Sequence, residues 1–172
     1  MKLAAHDIEA DLPPGWEGRI TRRTEPPGAE TLGTEASGTA GRATPRGTPG
    51  ERTHPVVHLA NFALPEHRGD YGSGAVDVMT KQDILIVLFE FGPEAVGQPL
   101  FARRGLPRHL AAARFSPNAL QRTRPGQAGR QIFFTEQGRA FSLYVVLGSH
   151  QAAPALTPKA NAVLRATTIG PR

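Results

Sequence analysis

Seven arginines fall within 28 residues of the second half of the chain, and they carry the strongest chemical signal in the sequence. A guanidinium makes planar, bidentate contacts with carboxylates and phosphates, so arginines that share one surface bind anions. The sequence therefore predicts an anion-binding or partner-binding surface. The alternative is a surface whose charges are solvated or paired within the protein. The candidate residues, with no acidic residue among them, are Arg103, Arg104, Arg108, Arg114, Arg122, Arg124 and Arg130.

The kind of partner follows from what else this segment contains. Proteins that bind nucleic acid usually place aromatic side chains among their basic residues, so that bases can stack on them. Only Phe101 and Phe115 lie near the arginines, and the chain has no zinc-finger or RNP-like pattern. We therefore expect a non-catalytic binding or assembly module that engages an acidic protein partner, without a cofactor. Nucleic acid or an anionic lipid is the alternative partner.

The net charge of +5 is distributed unevenly along the chain. Residues 1–94 contain nine Lys and Arg against fourteen Asp and Glu, whereas residues 95–172 contain eleven Lys and Arg against the single acid Glu136. Two arrangements are consistent with this asymmetry. Either the two halves attract each other in the fold, or the second half presents a positive surface to an acidic partner.

A glycine-rich run and a pair of histidines could bind ligands. The run Gly69–Gly74 could hold a phosphate if it joined a strand to the start of a helix, but it lacks the lysine of a P-loop and the glycine order of a Rossmann motif. A turn or helix cap is the alternative. His54 and His58 are four residues apart, which suits a metal on a helix, yet they span a strand start. No metal site is predicted.

A small serine hydrolase is the third functional hypothesis. Ser73 or Ser149 could act as the nucleophile with His58, His67 or His150 as the base. Neither serine lies in a G-x-S-x-G motif, and most chains of this length contain such combinations of residues. The prediction is therefore that the chain is not an enzyme.

Glu90 is the acidic residue whose position most requires a partner. It follows the apolar run 84–89 and precedes another phenylalanine. A carboxylate in such a place must reach solvent or pair, because an unpaired buried charge is costly. Since many arginines follow in the chain, the structural prediction is a Glu90–Arg ion pair. A functional role for Glu90 is the alternative.

The elements that must position these residues are the strands of a mainly antiparallel sheet. The run 84–91 is apolar on both strand faces, which predicts a central strand covered on both sides. A hairpin is predicted around residues 136–138. The predicted strands cover 17–23, 56–62, 84–91, 130–135 and 139–147.

A few helices are predicted to flank this sheet. A serine followed by proline predicts a short helix over 117–123. Thr157 and the proline after it begin a C-terminal amphipathic helix. Residues 75–79 are ambiguous, since Ser73 could cap a short helix there. The predicted fold class is α+β.

Residues 24–55 differ in composition from the rest of the chain. One leucine is the only sizeable apolar residue among Gly, Thr, Ala, Pro, Glu and Arg. Such a segment cannot bury enough surface to offset its conformational entropy. It is therefore predicted to be a disordered insertion within a single domain that spans residues 1–172.

The cellular location is predicted from what the sequence lacks. No apolar run approaches the roughly 20 residues of a membrane-spanning helix. The first residues lack the apolar stretch of a secretory signal, and the chain contains no cysteine for disulfides or a lipid anchor. We expect a cytoplasmic protein.

Part of the pattern resembles a known fold. The sequence Leu-Pro-Pro-Gly-Trp at 12–16, the antiparallel sheet and the closing Asn-Ala-Val-Leu helix at 161–164 resemble the PsbP-like α/β/α sandwich. The chain is also similar in composition to proteins of GC-rich actinobacteria. The PsbP-like resemblance implies a non-catalytic binding or assembly factor. The chain departs from the lipoprotein members of that fold, because it has no signal segment and no lipid-anchoring cysteine, and it adds the insertion.

Overall fold

The computed structural model describes residues 1–22 and 54–172, which form two antiparallel sheets and two α-helices. The α+β class is thereby confirmed. Residues 24–53 of the predicted insertion lie outside the described residues, and its last position, Pro55, begins the fourth strand. In chain order the elements are β1 (Lys2–Ala5), β2 (Ile8–Asp11), β3 (Glu17–Arg22), β4 (Pro55–Ala60), α1 (Ser73–Val78), β5 (Ile84–Glu90), β6 (Ala128–Glu136), β7 (Arg139–Leu147), α2 (Ala153–Arg165) and β8 (Thr167–Ile169).

The larger sheet has five strands in the order β3-β4-β5-β7-β6, all antiparallel. The central strand is β5, and all seven of its residues are buried. Its β-branched and leucine side chains alternate between the two faces of the sheet, so each face receives large apolar groups. The prediction of a central strand covered on both sides is confirmed.

The two faces of this sheet are covered by different elements. On one face, called the α2 side, Leu156, Val163 and Leu164 of α2 pack with the small sheet β1-β2-β8. On the other face, called the α1 side, Ala75 and Val76 of α1 pack on the sheet. Apolar burial of this kind contributes about 1.5–3 kcal/mol for a fully buried large side chain. Hydrophobic core therefore covers both faces of the sheet, and polar groups that are buried on either face need hydrogen-bond or ion-pair partners.

Two hairpins close with two-residue turns whose backbones are left-handed. Gln137 and Gly138 join β6 to β7 with φ of 51° and 73°. His6 and Asp7 join β1 to β2 with φ of 54° and 60°. Positive φ at both positions matches the twist of the flanking strands, and Gly and Asp tolerate it better than most residues. The hairpin predicted around residues 136–138 is confirmed.

Three predictions about helices need correction. Residues 117–123 form no α-helix. A short 3₁₀ turn at Pro117–Ala119 stands there instead, because Ser116 pairs with Gly129 and bends the chain back toward β6. The C-terminal helix begins at Ala153 rather than Thr157. The interior proline of α2 is tolerated there, since the carbonyl that it leaves unbonded belongs to an exposed residue.

The third correction concerns the start of α1. Gly72 is its N-cap, with a left-handed φ of 73°, and Ser73 is the first helical residue, so the serine does not cap the helix. Within the described residues, no helix has the length and apolar character needed to cross a membrane.

Candidate functional site

The arginine-bearing segment wraps around the edge of the large sheet at β6. Near the end of β6, the Thr135 N–H donates to the Arg103 carbonyl at 2.8 Å, and the Gly105 N–H donates to the Thr135 carbonyl at 2.9 Å. Near the start of β6, Ser116 and Gly129 exchange two backbone hydrogen bonds of 3.0 and 2.9 Å. The chain between these contacts crosses the α2 side, where Leu110 is bonded to Asn161 of α2 through both its N–H and its carbonyl.

The seven candidate arginines do not share one face. The Arg108 side chain donates to the carbonyl of Arg165 at the end of α2, and Arg114 lies in a 3₁₀ turn beside the same helix. Arg122 and Arg124 lie on the α1 side, where Arg124 forms an ion pair with Asp77 of α1. Arg108 and Arg114 therefore lie on the α2 side of the sheet, and Arg122 and Arg124 lie on the opposite side.

The remaining three arginines lie near the two ends of the outer edge of β6. Arg103 and Arg104 are exposed beside Thr135. Arg130 is half-buried near the start of the strand, and its pairing with Val145 in the register places its side chain on the α2 side. Of the seven candidates, these three are the ones that border a common feature of the sheet.

Most of these arginines have no acidic partner inside the protein. Among the described residues, Arg124 is the only one of the seven that forms an ion pair. Pairing within the protein therefore accounts for Arg124 alone, and a solvated surface stays the alternative for the other six arginines. The other six guanidinium groups have no carboxylate partner among the described residues, although Arg108 already donates to the Arg165 carbonyl.

Between its two anchored ends the outer edge of β6 is open. In an antiparallel pair, alternate residues direct their backbone groups away from the partner strand. Because Gly129 and Thr135 bond outward, Gln131 and Phe133 also direct their N–H and C=O groups outward. Neither backbone takes part in an outward hydrogen bond within the described part of the chain. We call this stretch, residues 131–133, the β6 window.

A cavity of about 270 Å³ adjoins the Thr135 end of the window. Phe101 forms part of its wall, and Arg104, Gln98 and Thr135 contribute polar groups. The hydroxyl of Thr135 is already engaged, since it donates to the Phe101 carbonyl at 2.8 Å. The cavity therefore offers an apolar wall and one free guanidinium beside the open edge.

The predicted partner of Glu90 is Arg139. The Arg139 guanidinium donates through Nε and Nη2 to the two carboxylate oxygens at 3.0 and 2.7 Å, and both side chains are 3% exposed. Arg139 also donates to the carbonyls of His6, in the β1–β2 turn, and Gly170, which follows β8. Arg172 adds a third contact to Glu90 at 3.1 Å. The prediction of a Glu90–Arg ion pair is confirmed, and the pair joins the two sheets.

Sequence reasoning missed a second buried polar group, on the α1 side. His58 of β4 is 2% exposed, and neither ring nitrogen has a hydrogen-bond partner. Burial, and after it the positive charge of nearby Arg68, lower the pKa of His58 to about 4. Arg68 is 8% exposed and its Nε has no partner either. The available signal was a histidine on an inward-facing position of an apolar strand.

The serines considered as nucleophiles have other partners or none. Ser149 Oγ accepts from the Ala152 N–H at 3.2 Å, ahead of α2. Ser73 begins α1 and has no histidine bonded to it. Within residues 1–22 and 54–172, no hydrogen bond joins a serine to a histidine, and no three His, Asp or Glu side chains cluster as metal ligands.

Comparison with known proteins adds no relative. No family model, curated protein or solved structure matches the chain. The PsbP-like resemblance therefore stays a prediction, and the function must be argued from the residues themselves.

Proposed function

We propose that this protein is a non-catalytic, cytoplasmic binding module that takes an extended acidic segment of a partner protein along the β6 window. One observation carries the proposal: an open strand edge lies between Arg103 and Arg104 at one end and Arg130 at the other. The proposal narrows the predicted surface over 103–130 to these three residues.

Strand addition suits the geometry of the window. An added strand would exchange main-chain hydrogen bonds with Gln131 and Phe133, which gives affinity without regard to sequence. Arginine on both sides of the window would then select acidic side chains, because charge-assisted contacts with carboxylates are the stronger ones. The cavity beside Arg104 offers room for one side chain of the added strand.

The charge of the window argues against a second copy of the chain as the partner. Two β6 edges paired with each other would bring two sets of three arginines together, and the one acid close by, Glu136, already accepts a hydrogen bond from the Leu106 N–H at 2.6 Å. Like charges brought together oppose association. An acidic segment removes this repulsion.

Calorimetric titration with a short peptide that alternates glutamate with valine tests the charge requirement. Reversing the window arginines in the triple variant R103E/R104E/R130E should weaken binding about tenfold or more, since each exposed ion pair contributes up to about 1 kcal/mol. The matched control R108E/R122E/R165E changes the net charge equally but away from the window. Equal loss in both triple variants would contradict the site, because it would mean that only net charge matters.

A proline substitution tests strand addition separately from charge. Gln131→Pro removes an outward N–H while the hydrogen bonds to β7 are kept, because an edge strand tolerates proline at an outward-facing position. It should weaken peptide binding about tenfold, whereas Gln131→Ala should not. If Gln131→Pro unfolds the sheet, a peptide N-methylated at alternate residues replaces it with wild-type protein. Binding of double-stranded DNA with steep salt dependence, without peptide binding, would favour the nucleic-acid alternative instead.

A further inference from the structure

Two buried basic side chains on the α1 side lack the partners that buried polar groups require. Both ring nitrogens of His58 and the Nε of Arg68 are closed off from solvent and make no hydrogen bond. Arg68 Nη1 reaches the carbonyls of Pro65 and Glu66 at 3.2 and 3.5 Å. Among the described residues no carboxylate lies within ion-pair distance of Arg68. Its positive charge is therefore buried without a counter-charge.

A third basic residue, Arg19, lies next to His58 in the sheet. Arg19 of β3 lies directly opposite His58 in the register, so both side chains project from the α1 side of the sheet. Burial lowers the pKa of Arg68, and the charge of Arg19 lowers it further, so the two positive charges act on each other. Arg19 is exposed and has no partner among the described residues, so the group opens to solvent at Arg19.

The loop of residues 66–72 covers this group. A Cβ added at Gly72 would lie 3.7 Å from Cδ2 of His58 and 2.6 Å from a methyl of Leu85, so the loop backbone rests on the sheet. The backbone of Asp70 and Gly69 lies close enough to the His58 ring to act against the lowering of its pKa. Neither residue, however, makes a hydrogen bond with a ring nitrogen. The loop therefore closes the group without satisfying it.

The acidic residues around the group are engaged or face solvent. The Glu17 carboxylate, on the same face of β3 as Arg19, accepts from the Leu64 N–H at 3.0 Å. Glu66 and Asp70 of the loop are exposed. An unpaired buried charge is costly, and donors that lack acceptors add to that cost. An oxyanion would supply the negative charge and the acceptors at once.

We propose that Arg19, His58 and Arg68 form a binding site for a small oxyanion group, a phosphate or a carboxylate, beneath the loop of residues 66–72. Arg68 and Arg19 donate to its oxygens, and the N–H of neutral His58 donates a further hydrogen bond. Because the inner donors are covered, the loop must lift for the anion to enter. Gly69 and Gly72, with φ of 66° and 73°, bracket the part of the loop that lies over the histidine. This site is independent of the β6 window.

The experiment is a titration of the full chain followed through the His58 side-chain resonances. Inorganic phosphate and acetate are the two probes, and sodium chloride at the same ionic strength is the reference. With phosphate or acetate, saturable shifts of the His58 resonances and of the amides of residues 66–74 are expected. The probe that saturates at the lower concentration identifies the anion class.

Two exposed arginines of β3 provide matched variants. Arg19→Gln should weaken anion binding about tenfold, the effect of one lost charge-assisted hydrogen bond. Arg22→Gln lies on the same strand but opposite Pro55, on the α2 side, and should change nothing. Arg68→Lys keeps the charge and removes the planar donor set, so binding should weaken without loss of the fold.

Three results would overturn the proposal. The first is an absence of saturable shifts with either probe. The second is an equal response to sodium chloride, which would mean general screening of charge. The third is an ordered water bridging His58 and Arg68 in a crystal grown with phosphate, with no anion bound.

Discussion

Two buried basic clusters lie on opposite faces of the same sheet, and they differ in how completely their polar atoms are bonded. On the α2 side, Arg139 bonds the Glu90 carboxylate at both oxygens and two backbone carbonyls besides. On the α1 side, Arg68 leaves its Nε unbonded, and neighbouring His58 leaves both ring nitrogens unbonded. The two clusters are similarly buried, so burial alone does not explain the difference.

The contrast separates a structural use of buried charge from a binding use. The Glu90–Arg139 pair joins the β1–β2 turn and the end of β8 to the central strand of the large sheet, and it leaves no polar atom for a ligand. A cavity of about 190 Å³ adjoins the pair, but the polar groups that Glu90 and Arg139 present to it are already engaged with each other. Arg68 and His58 contribute charge and donors that the fold itself does not use, which is typical of a ligand site.

The largest effect on stability is expected when the Glu90–Arg139 ion pair of the α2 side is broken. Glu90→Gln keeps the shape of the side chain but leaves the Arg139 charge buried without a counter-charge. The free energy of unfolding should fall by about 3–5 kcal/mol, the usual cost of removing one partner from a buried ion pair. Denaturation by urea at neutral pH measures it.

A double variant checks that the loss comes from the pair. Arg139→Met should also destabilise the protein, and Glu90→Gln with Arg139→Met should cost clearly less than the two single losses added together. The exposed ion pair of Asp77 and Arg124 is the reference, and Asp77→Asn there should cost no more than about 1 kcal/mol. Additive losses at Glu90 and Arg139 would show that they are not coupled.

The His58–Arg68 cluster of the α1 side should make the free energy of unfolding depend on pH. The pKa of His58 is about 4 in the folded protein and about 6.5 in the unfolded chain, so the unfolded chain binds more protons between these values. The stabilisation is complete above pH 6.5 and is lost as the pH falls toward 4. The loss amounts to about 3 kcal/mol. Unfolding free energies measured between pH 7 and 4 test this.

Carboxylates also titrate in this range, so a variant is needed to isolate the histidine. His58→Leu should remove about 3 kcal/mol of the decrease between pH 7 and 4. His150→Leu, at an exposed histidine after β7, should leave the decrease unchanged. An equal pH dependence in the wild type and His58→Leu would mean that His58 is not the group that titrates.

The difference between the clusters also explains what could be predicted from the sequence. The central strand and the Glu90–Arg pair followed from local patterns, because six apolar residues before a carboxylate allow few structures. Which arginine pairs with Glu90 was not predictable, since Arg139 reaches it only through the pairing of β5 with β7. The short strands β1, β2 and β8 were missed because four or three residues carry too little periodicity.

The distribution of the seven arginines over the surface was not predictable, for a related reason. The count of arginines over 103–130 was correct, but their distribution depends on a chain that crosses from the α2 side to the α1 side around β6. Irregular segments of this kind have no period from which faces can be assigned. The His58–Arg68 cluster was missed because a strand, a loop and a neighbouring strand must come together before its lack of partners can be seen.

The smallest effect is expected from Arg68→Met, and it is also the most direct comparison with Arg139→Met. Both substitutions replace a buried arginine with an apolar side chain of similar length. Arg139→Met leaves the buried Glu90 carboxylate with the half-exposed Arg172 as its one remaining cation among the described residues. Arg68→Met removes a charge that has no counter-charge and gives up only contacts with the Pro65 and Glu66 carbonyls. Replacing buried charge with apolar groups is often neutral or stabilising, so stability should change by no more than about 1 kcal/mol. A loss as large as that of Arg139→Met would show that Arg68 holds the fold together, and the distinction between the two clusters would then fail.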